Sequence, residues 1–165
     1  MGKSTLSAVG NAAKLATIGA IKTGGDVASA IVEATRDVVR TALEGVADVT
    51  VAAEQSAARV VMGAVQATKE VGADVGVTIE SAVRGTVKAA HETGADVGKA
   101  AVSAVRSSID AAEQIGADTG NALKHAVTGA VRAAGEISEG TAMAVRDVLT
   151  TSIKGAKDVL KSPLK

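Results

Sequence analysis

Two successive stretches, Glu80–Ala101 (ESAVRGTVKAAHETGADVGKAA) and Val102–Leu123 (VSAVRSSIDAAEQIGADTGNAL), match each other at a spacing of 22 residues. Extended in both directions, this register divides the chain from Lys14 to its end into seven lines. A fixed period of this length indicates a repeat architecture, so the repeat has to be interpreted before any single motif.

The repeat places aliphatic residues in regular columns. Twenty-two residues are two elevens, and a period of eleven corresponds to about 3.67 residues per turn, close to a straight α-helix. Such columns lie on one side of a helix, with acidic and basic residues on the other side. The sequence therefore predicts an all-α fold of long amphipathic helices built from 22-residue repeats, either extended or folded as a helical hairpin or bundle, without a sheet. The predicted helix-packing stripe comprises one column of Ile21, Leu43, Val65, Val87, Ile109, Val131 and Ile153, and a second column that includes Val61, Val83 and Val105.

Glycine recurs in the same register, and we expect it to belong to the same stripe. Gly72, Gly94 and Gly116 share a column inside the apolar sector, where small residues would let another helix approach closely. The alternative is that GADVG and GADTG are turns between helices of about 17 residues, since Gly commonly ends helices. The first interpretation is preferred because the apolar columns keep helical phase across each GADxG segment.

The same pattern sets the expected domain organisation. Residues 1–13 form an N-terminal lead-in, residues 14–161 carry the helical repeats, and residues 162–165 form a frayed tail next to Pro163. Candidate breaks in the helical region are Gly24–Gly25 and Gly135–Gly140, where glycines lie close together.

Composition excludes several classes of function. The 165 residues include no Phe, Tyr, Trp or Cys, and 18 basic residues balance 18 acidic ones. The sequence has no basic patch and no aromatic platform, so no nucleic-acid partner is expected. It also has no run of about 20 uncharged apolar residues, which predicts no transmembrane span. The N-terminal residues show no signal-peptide core, and a cytoplasmic location is expected.

No motif points to catalysis or to a bound cofactor. Gly2-Lys3-Ser4-Thr5 copies only the end of a phosphate-binding loop, without the preceding strand and glycine. His91-Glu92 lacks the second histidine of a zinc-protease helix, and His125 falls at a different helix angle. We therefore expect no enzymatic activity, no catalytic or metal-binding residues and no cofactor.

The repeats resemble those of several amphipathic helical families. Thr68-Lys69-Glu70-Val71-Gly72 is similar to the synuclein repeat core with its last two residues inverted. The 11- and 22-residue pattern, rich in Ala, Val, Thr, Gly, Lys and Glu, resembles that of exchangeable apolipoproteins, perilipins and group 3 late-embryogenesis-abundant proteins. The resemblance implies coating of a lipid surface, or folding on contact with a partner.

Two functional hypotheses follow from these observations. The first is a structural protein whose long helices self-associate, or pack on partner proteins, as a scaffold, linker or filament component. The second is an amphipathic protein that folds on a lipid surface or an apolar granule. The first is preferred because small side chains gain close contact against another helix but insert only shallowly into lipid.

Overall fold

The computed structural model describes residues 3–161, and side chains from residue 7 onward. This part of the chain is all-helical and contains no strand. It forms eight helices: α1 (Lys3–Thr23), α2 (Val27–Leu43), α3 (Val49–Val71), α4 (Val75–Glu92), α5 (Val97–Gln114), α6 (Thr119–Ile137), α7 (Glu139–Ser152) and α8 (Ala156–Lys161).

The segment Gly94-Ala95-Asp96 shows how a helix ends and the next begins. Gly94 adopts a left-handed conformation with φ of 79°, and the amide of Ala95 donates to the carbonyl of Ala90 at 2.9 Å. This pattern satisfies the last carbonyls of α4, and glycine adopts it without a Cβ clash. Asp96 then caps α5 by accepting a hydrogen bond from the Lys99 amide at 3.0 Å. Each GAD triplet therefore ends one helix and starts another.

The expectation of helices running unbroken through the GADxG segments was wrong. Gly72, Gly94 and Gly116 all have positive φ and lie in turns, and a Cβ atom at any of them would meet nothing within 4 Å. They are therefore not part of the helix-packing stripe. The alternative interpretation, turns between short helices, describes these segments.

Of the two other candidate breaks, one lies between two helices and the glycines of the other lie inside helices. Gly24 and Gly25 lie between α1 and α2, both with positive φ. Gly135 lies inside α6 and Gly140 inside α7, and the break between them is at Ser138, which is extended and caps α7. The lead-in has no separate structure over residues 3–13, which belong to α1. The tail at residues 162–165 lies outside the described residues.

The helices are arranged in two rows. Each helix packs against its successor and against the helix two further along, so α1, α3, α5 and α7 form one row and α2, α4, α6 and α8 the other. Helices within a row run parallel. In α2 and α4, for example, Val32 lies near Gly85 and Arg40 pairs with Glu92, so that both contacts advance in the same direction.

The aliphatic columns lie between the two rows. Helices two apart in sequence run in the same direction and present the same face to the core. Residues 44 positions apart therefore lie on equivalent faces, although the helix is not continuous. Val83, Val105 and Leu149 have no exposed surface. The core contains Val, Ala and a few Ile and Leu side chains, and the rows lie close together because these groups are small.

Candidate functional site

Glycines inside the helices permit the closest contacts within each row. A Cβ atom at Gly85 of α4 would lie 2.5 Å from the carbonyl oxygen of Val32 in α2. At Gly129 of α6, a Cβ would lie 2.6 Å from the carbonyl oxygen of Glu80 in α4. Both distances are too short for a carbon atom, so only glycine allows this backbone contact.

These glycines form a column at a spacing of 22 residues. Gly63 of α3 belongs to it, since a Cβ atom there would collide with the Gly10 carbonyl oxygen of α1. At the α5 position of the column stands Ser107, which is also buried. We call Gly19, Thr41, Gly63, Gly85, Ser107 and Gly129 the close-packing column.

Sequence reasoning missed the role of the close-packing column. It assigned close approach to Gly72, Gly94 and Gly116, whose spacing is equally regular. A local signal could have separated the two columns. Gly72, Gly94 and Gly116 are each followed by Ala-Asp, which is typical of a helix end and the N-cap of the next helix, whereas Gly63, Gly85 and Gly129 lie in uninterrupted helical sequence.

The aliphatic members of the predicted stripe lie in or beside the core. Ile21 and Ile109 are partly exposed. The other eight are at least nine-tenths buried, namely Leu43, Val61, Val65, Val83, Val87, Val105, Val131 and Ile153. The structure therefore brings the aliphatic stripe together inside one chain and leaves the three predicted glycines outside it.

Ion pairs connect successive helices of the even-numbered row. Glu136 of α6 accepts from Lys88 Nζ at 2.8 Å and also contacts the Arg84 guanidinium. The hydrogen bond from Lys88, together with Arg84, lowers the pKa of the Glu136 carboxyl below its ordinary value. Glu92 lies 3.2 Å from Arg40 Nη1 in the equivalent place between α2 and α4. These pairs lie at the edge of the helix contacts and favour one register between parallel helices.

The odd-numbered row has an ion pair as well, between Lys14 of α1 and Glu70 of α3, and adds hydrogen bonds from side chains to the main chain. Ser103 of α5 donates to the carbonyl of Glu54 in α3 at 2.6 Å. Arg106 donates to the carbonyl of Ser152 in α7 at 3.1 Å. Polar contacts therefore favour one register in both rows, by ion pairs in the even-numbered row and by an ion pair and main-chain hydrogen bonds in the odd-numbered row.

The first two helices carry the same column on a surface that no described helix covers. Gly19 is exposed, with open space where a Cβ would be, and Thr41 is exposed as well. Ala8, Ala12 and Leu15 precede Gly19 on the same face of α1, and all three are exposed, Leu15 by 60%. We call this surface the open face and define it by Ala8, Ala12, Leu15 and Gly19 of α1 together with Val38 and Thr41 of α2.

A shallow apolar groove runs along the open face between its two helices. It has a volume of about 350 Å³ and is lined by Ala8, Val9, Ala12, Asp37, Val38 and Thr41. Asp37 is the single charged residue among the six, so the groove suits apolar contact better than recognition of a charged ligand.

The other end of the two rows has a different character. Leu149 of α7 and Ala156 of α8 have no exposed surface. Gly155, with φ of 90°, makes the turn between the two helices and lies against Leu123 of α6. The exposed residues of α7 include Arg146 and Asp147 next to Met143. This end therefore exposes charged residues beside the small residues Gly140, Ala144 and Thr151 of α7.

The two histidines and the acidic residues that the structure describes form no cluster of three or more side chains suited to a metal ion. His125 covers Gly76, and its Nδ1 lies 3.6 Å from Glu80, which also pairs with Arg132 at 3.1 Å. Over residues 3–161, no helix combines the length and apolarity needed to cross a bilayer.

Comparison with known proteins gives no further identification. No protein-family model matches the sequence, and no curated protein is significantly similar to it.

Proposed function

We propose that this chain is a non-enzymatic structural protein that acts as a scaffold or linker and associates with other protein surfaces, either copies of itself or partner proteins. The observation that carries the proposal is the open face. Its α1 residues Ala12 and Gly19 continue columns that are buried in α3, α4, α5 and α6, yet here they meet no described helix. An exposed apolar patch of this kind is typical of a protein-binding surface.

The packing of the two rows supports a scaffold role. Every helix from α3 to α6 contacts two neighbours in its own row and two in the other row. Stacked helical units of this type hold their shape through nearest-neighbour contacts and present extended surfaces for binding. Such an array can keep two attached proteins at a fixed separation.

The distribution of apolar residues favours a protein partner over a lipid surface. A helix that lies in a membrane interface needs a continuous apolar face with bulky side chains. Among the side chains that the structure describes, the exposed large apolar ones are Leu15, Val51, Val77 and Met143, which lie on four different helices. The aliphatic columns that suggested lipid binding are instead buried between the rows.

Circular dichroism with and without liposomes tests the proposal. The purified chain should be strongly helical in buffer alone, because the fold satisfies its own apolar stripe, and liposomes should change the spectrum little. A chain that is unfolded in buffer and becomes helical only with liposomes would refute the scaffold proposal and establish the lipid-surface alternative. A flotation assay with the same liposomes provides an independent readout of lipid binding.

A further inference from the structure

A cleft lies along α5, the helix that packs between α3 and α7 in the odd-numbered row. Its volume of about 600 Å³ is within the range of small-molecule pockets. The lining consists of Lys99, Val102, Ser103, Arg106 and Ser107 of α5, Glu54 of α3, and Val148 and Ser152 of α7. Unlike the groove of the open face, this cleft brings cations, a carboxylate and hydroxyl groups together, so its chemistry suits a polar ligand.

Ser107 accounts for the looser contact beside the cleft. It stands in the close-packing column, where Gly85 brings α4 against the Val32 carbonyl of α2. Glu54 of α3 stands 53 residues before Ser107, as Val32 does before Gly85. Because a Cβ atom does not fit into the contact that Gly85 makes, α5 cannot approach α3 in the same way at Ser107.

The Ser107 hydroxyl is buried in the cleft wall without a partner. The residue is 8% exposed, and it makes no hydrogen bond within the described part of the chain. Ser103, one turn earlier, differs because it donates to the Glu54 carbonyl at 2.6 Å. A buried hydroxyl that lacks a partner costs free energy. An acceptor in the cleft would receive this hydrogen bond.

Two cations border the cleft, and neither makes an ion pair with a described residue. Lys99 and Arg106 lie on the same face of α5, about 10 Å apart along its axis. Arg106 donates to the Ser152 carbonyl at 3.1 Å, and its other N–H groups remain for a ligand. Arg84 of α4 stands 22 residues before Arg106 in the repeat, but its guanidinium is paired with Glu136. The α5 cations therefore lack the acid that their counterpart has.

We propose that the cleft binds a small phosphate ester that also carries an amino group. The phosphate accepts hydrogen bonds from Lys99, Arg106 and Ser107, and its three terminal oxygens match these three donors. Glu54 is the one carboxylate of the lining and has no ion pair among the described residues, so it receives the ammonium group. Such a site is separate from the open face and does not depend on the proposed scaffold role.

Nuclear magnetic resonance titration of the full chain with phosphoethanolamine tests the proposal. We expect saturable shifts of the amide signals of Ser103 and Ser107, which sodium chloride at equal ionic strength should not produce. Lys99→Gln should weaken binding by about 10-fold, and Ser107→Ala by about 3-fold or more. Lys124→Gln is the matched control: Lys124 is an exposed lysine of α6 without an ion pair among the described residues, and its loss should leave the affinity unchanged.

Glu54 provides a test in which two ligands respond in opposite directions. Ethyl phosphate has the same phosphate group as phosphoethanolamine but no amino group. Glu54→Gln should weaken the binding of phosphoethanolamine by about 10-fold, because the ammonium loses its carboxylate partner. The same variant should strengthen the binding of ethyl phosphate, because it removes a like charge from the cleft. A change in the shape of the cleft alone would move both affinities in the same direction.

Three results would overturn the proposal. They are the absence of saturable shifts with both esters, a Lys124→Gln variant that weakens binding as much as Lys99→Gln, and a Glu54→Gln variant that changes both affinities alike. Circular dichroism shows whether each variant is folded. Lys99 is exposed, so Lys99→Gln keeps the test decisive if the buried Ser107→Ala variant fails to fold. The liposome experiment tests the scaffold role separately.

Discussion

The backbone of Gly129 in α6 lies against the carbonyl of Glu80 in α4, with 2.6 Å between that oxygen and the position a Cβ at residue 129 would occupy. The side chain of Glu80 takes part in the same contact, since it pairs with Arg132 at 3.1 Å. The absence of a side chain at Gly129 therefore sets the distance between the parallel helices α4 and α6. The ion pair between Glu80 and Arg132, a few residues away, favours their register.

Replacing Gly129 with alanine should destabilise the protein. The added methyl group must push α4 and α6 apart, which costs about 1–3 kcal/mol, while the better helix propensity of alanine returns about 1 kcal/mol at most. We expect a net loss of about 1–2 kcal/mol in the free energy of unfolding, measured by urea denaturation. Gly19→Ala is the control in the same column: with open space at this site, it should stabilise the chain by about 0.5–1 kcal/mol. Equal effects at the two sites would contradict the packing argument.

Replacing Gly94 with alanine should also destabilise the protein, for a different reason. Its φ of 79° is strained for residues with a Cβ atom, at a cost of about 1–2 kcal/mol. Gly94→Asn should lose less, because asparagine tolerates this conformation better. Thermal unfolding of both variants, compared with Gly135→Ala inside α6, checks the prediction. A melting temperature for Gly94→Ala at or above that of Gly135→Ala would show that the turn conformation does not matter.

The buried valine column should dominate stability. Val105 has no exposed surface, whereas Val77 is 40% exposed. Val105→Ala should leave a cavity and lower the free energy of unfolding by about 1–3 kcal/mol, and Val77→Ala should change it by less than about 0.5 kcal/mol. Urea denaturation measures both. Similar urea midpoints for the two variants would show that burial in the valine column does not dominate stability.

Glu136 should contribute stability that depends on pH. Its pKa in the folded chain is lowered from 4.5, first by the hydrogen bond from Lys88 and then by Arg84. Its contribution is therefore fully present above about pH 4.5 and is lost as the pH falls through the lower folded-state pKa. Because the Glu136 side chain is 45% exposed, solvent screening limits the effect to less than about 1 kcal/mol.

Comparison of Glu136→Gln with the native chain at neutral and acidic pH tests this prediction. The variant should be less stable at about pH 7, and the difference should disappear at about pH 3 and diminish in high salt. Glu113→Gln is the matched control, since Glu113 is exposed and makes no ion pair among the described residues. A difference between Glu136→Gln and the native chain that persisted at low pH would mean that the carboxylate charge is not its cause.

The sequence prediction separated the faces of the helices better than it located their ends. The spacing from Val61 to Val83 to Val105 placed these residues on one face, and they are buried. The same spacing was used to argue for an unbroken helix through Gly72 and Gly94, and this was wrong. A 22-residue period is compatible both with one straight helix and with a helix-turn unit whose copies pack in parallel, because both arrangements return each column to the same face.

The candidate site could be predicted only in part. Ala8, Ala12 and Gly19 belong to the small-residue pattern visible in the sequence, but they stand out because no described helix covers them. Gly63 is buried because α1 packs against it, whereas no described helix packs against Gly19. Nothing in the residues themselves distinguishes these positions, so sequence spacing alone could not identify the open face.

The sequence by itself determined the helical class, the small aliphatic core and the positions where turns can form, since these depend on local propensity, side-chain size and the conformational freedom of glycine. Only the tertiary structure decided that Gly63, Gly85 and Gly129 make the close contacts while Gly72, Gly94 and Gly116 make the turns. It also decided which members of a uniform column remain exposed. The physical reason is that close packing is a relation between two helices, and its outcome depends on which helix lies alongside.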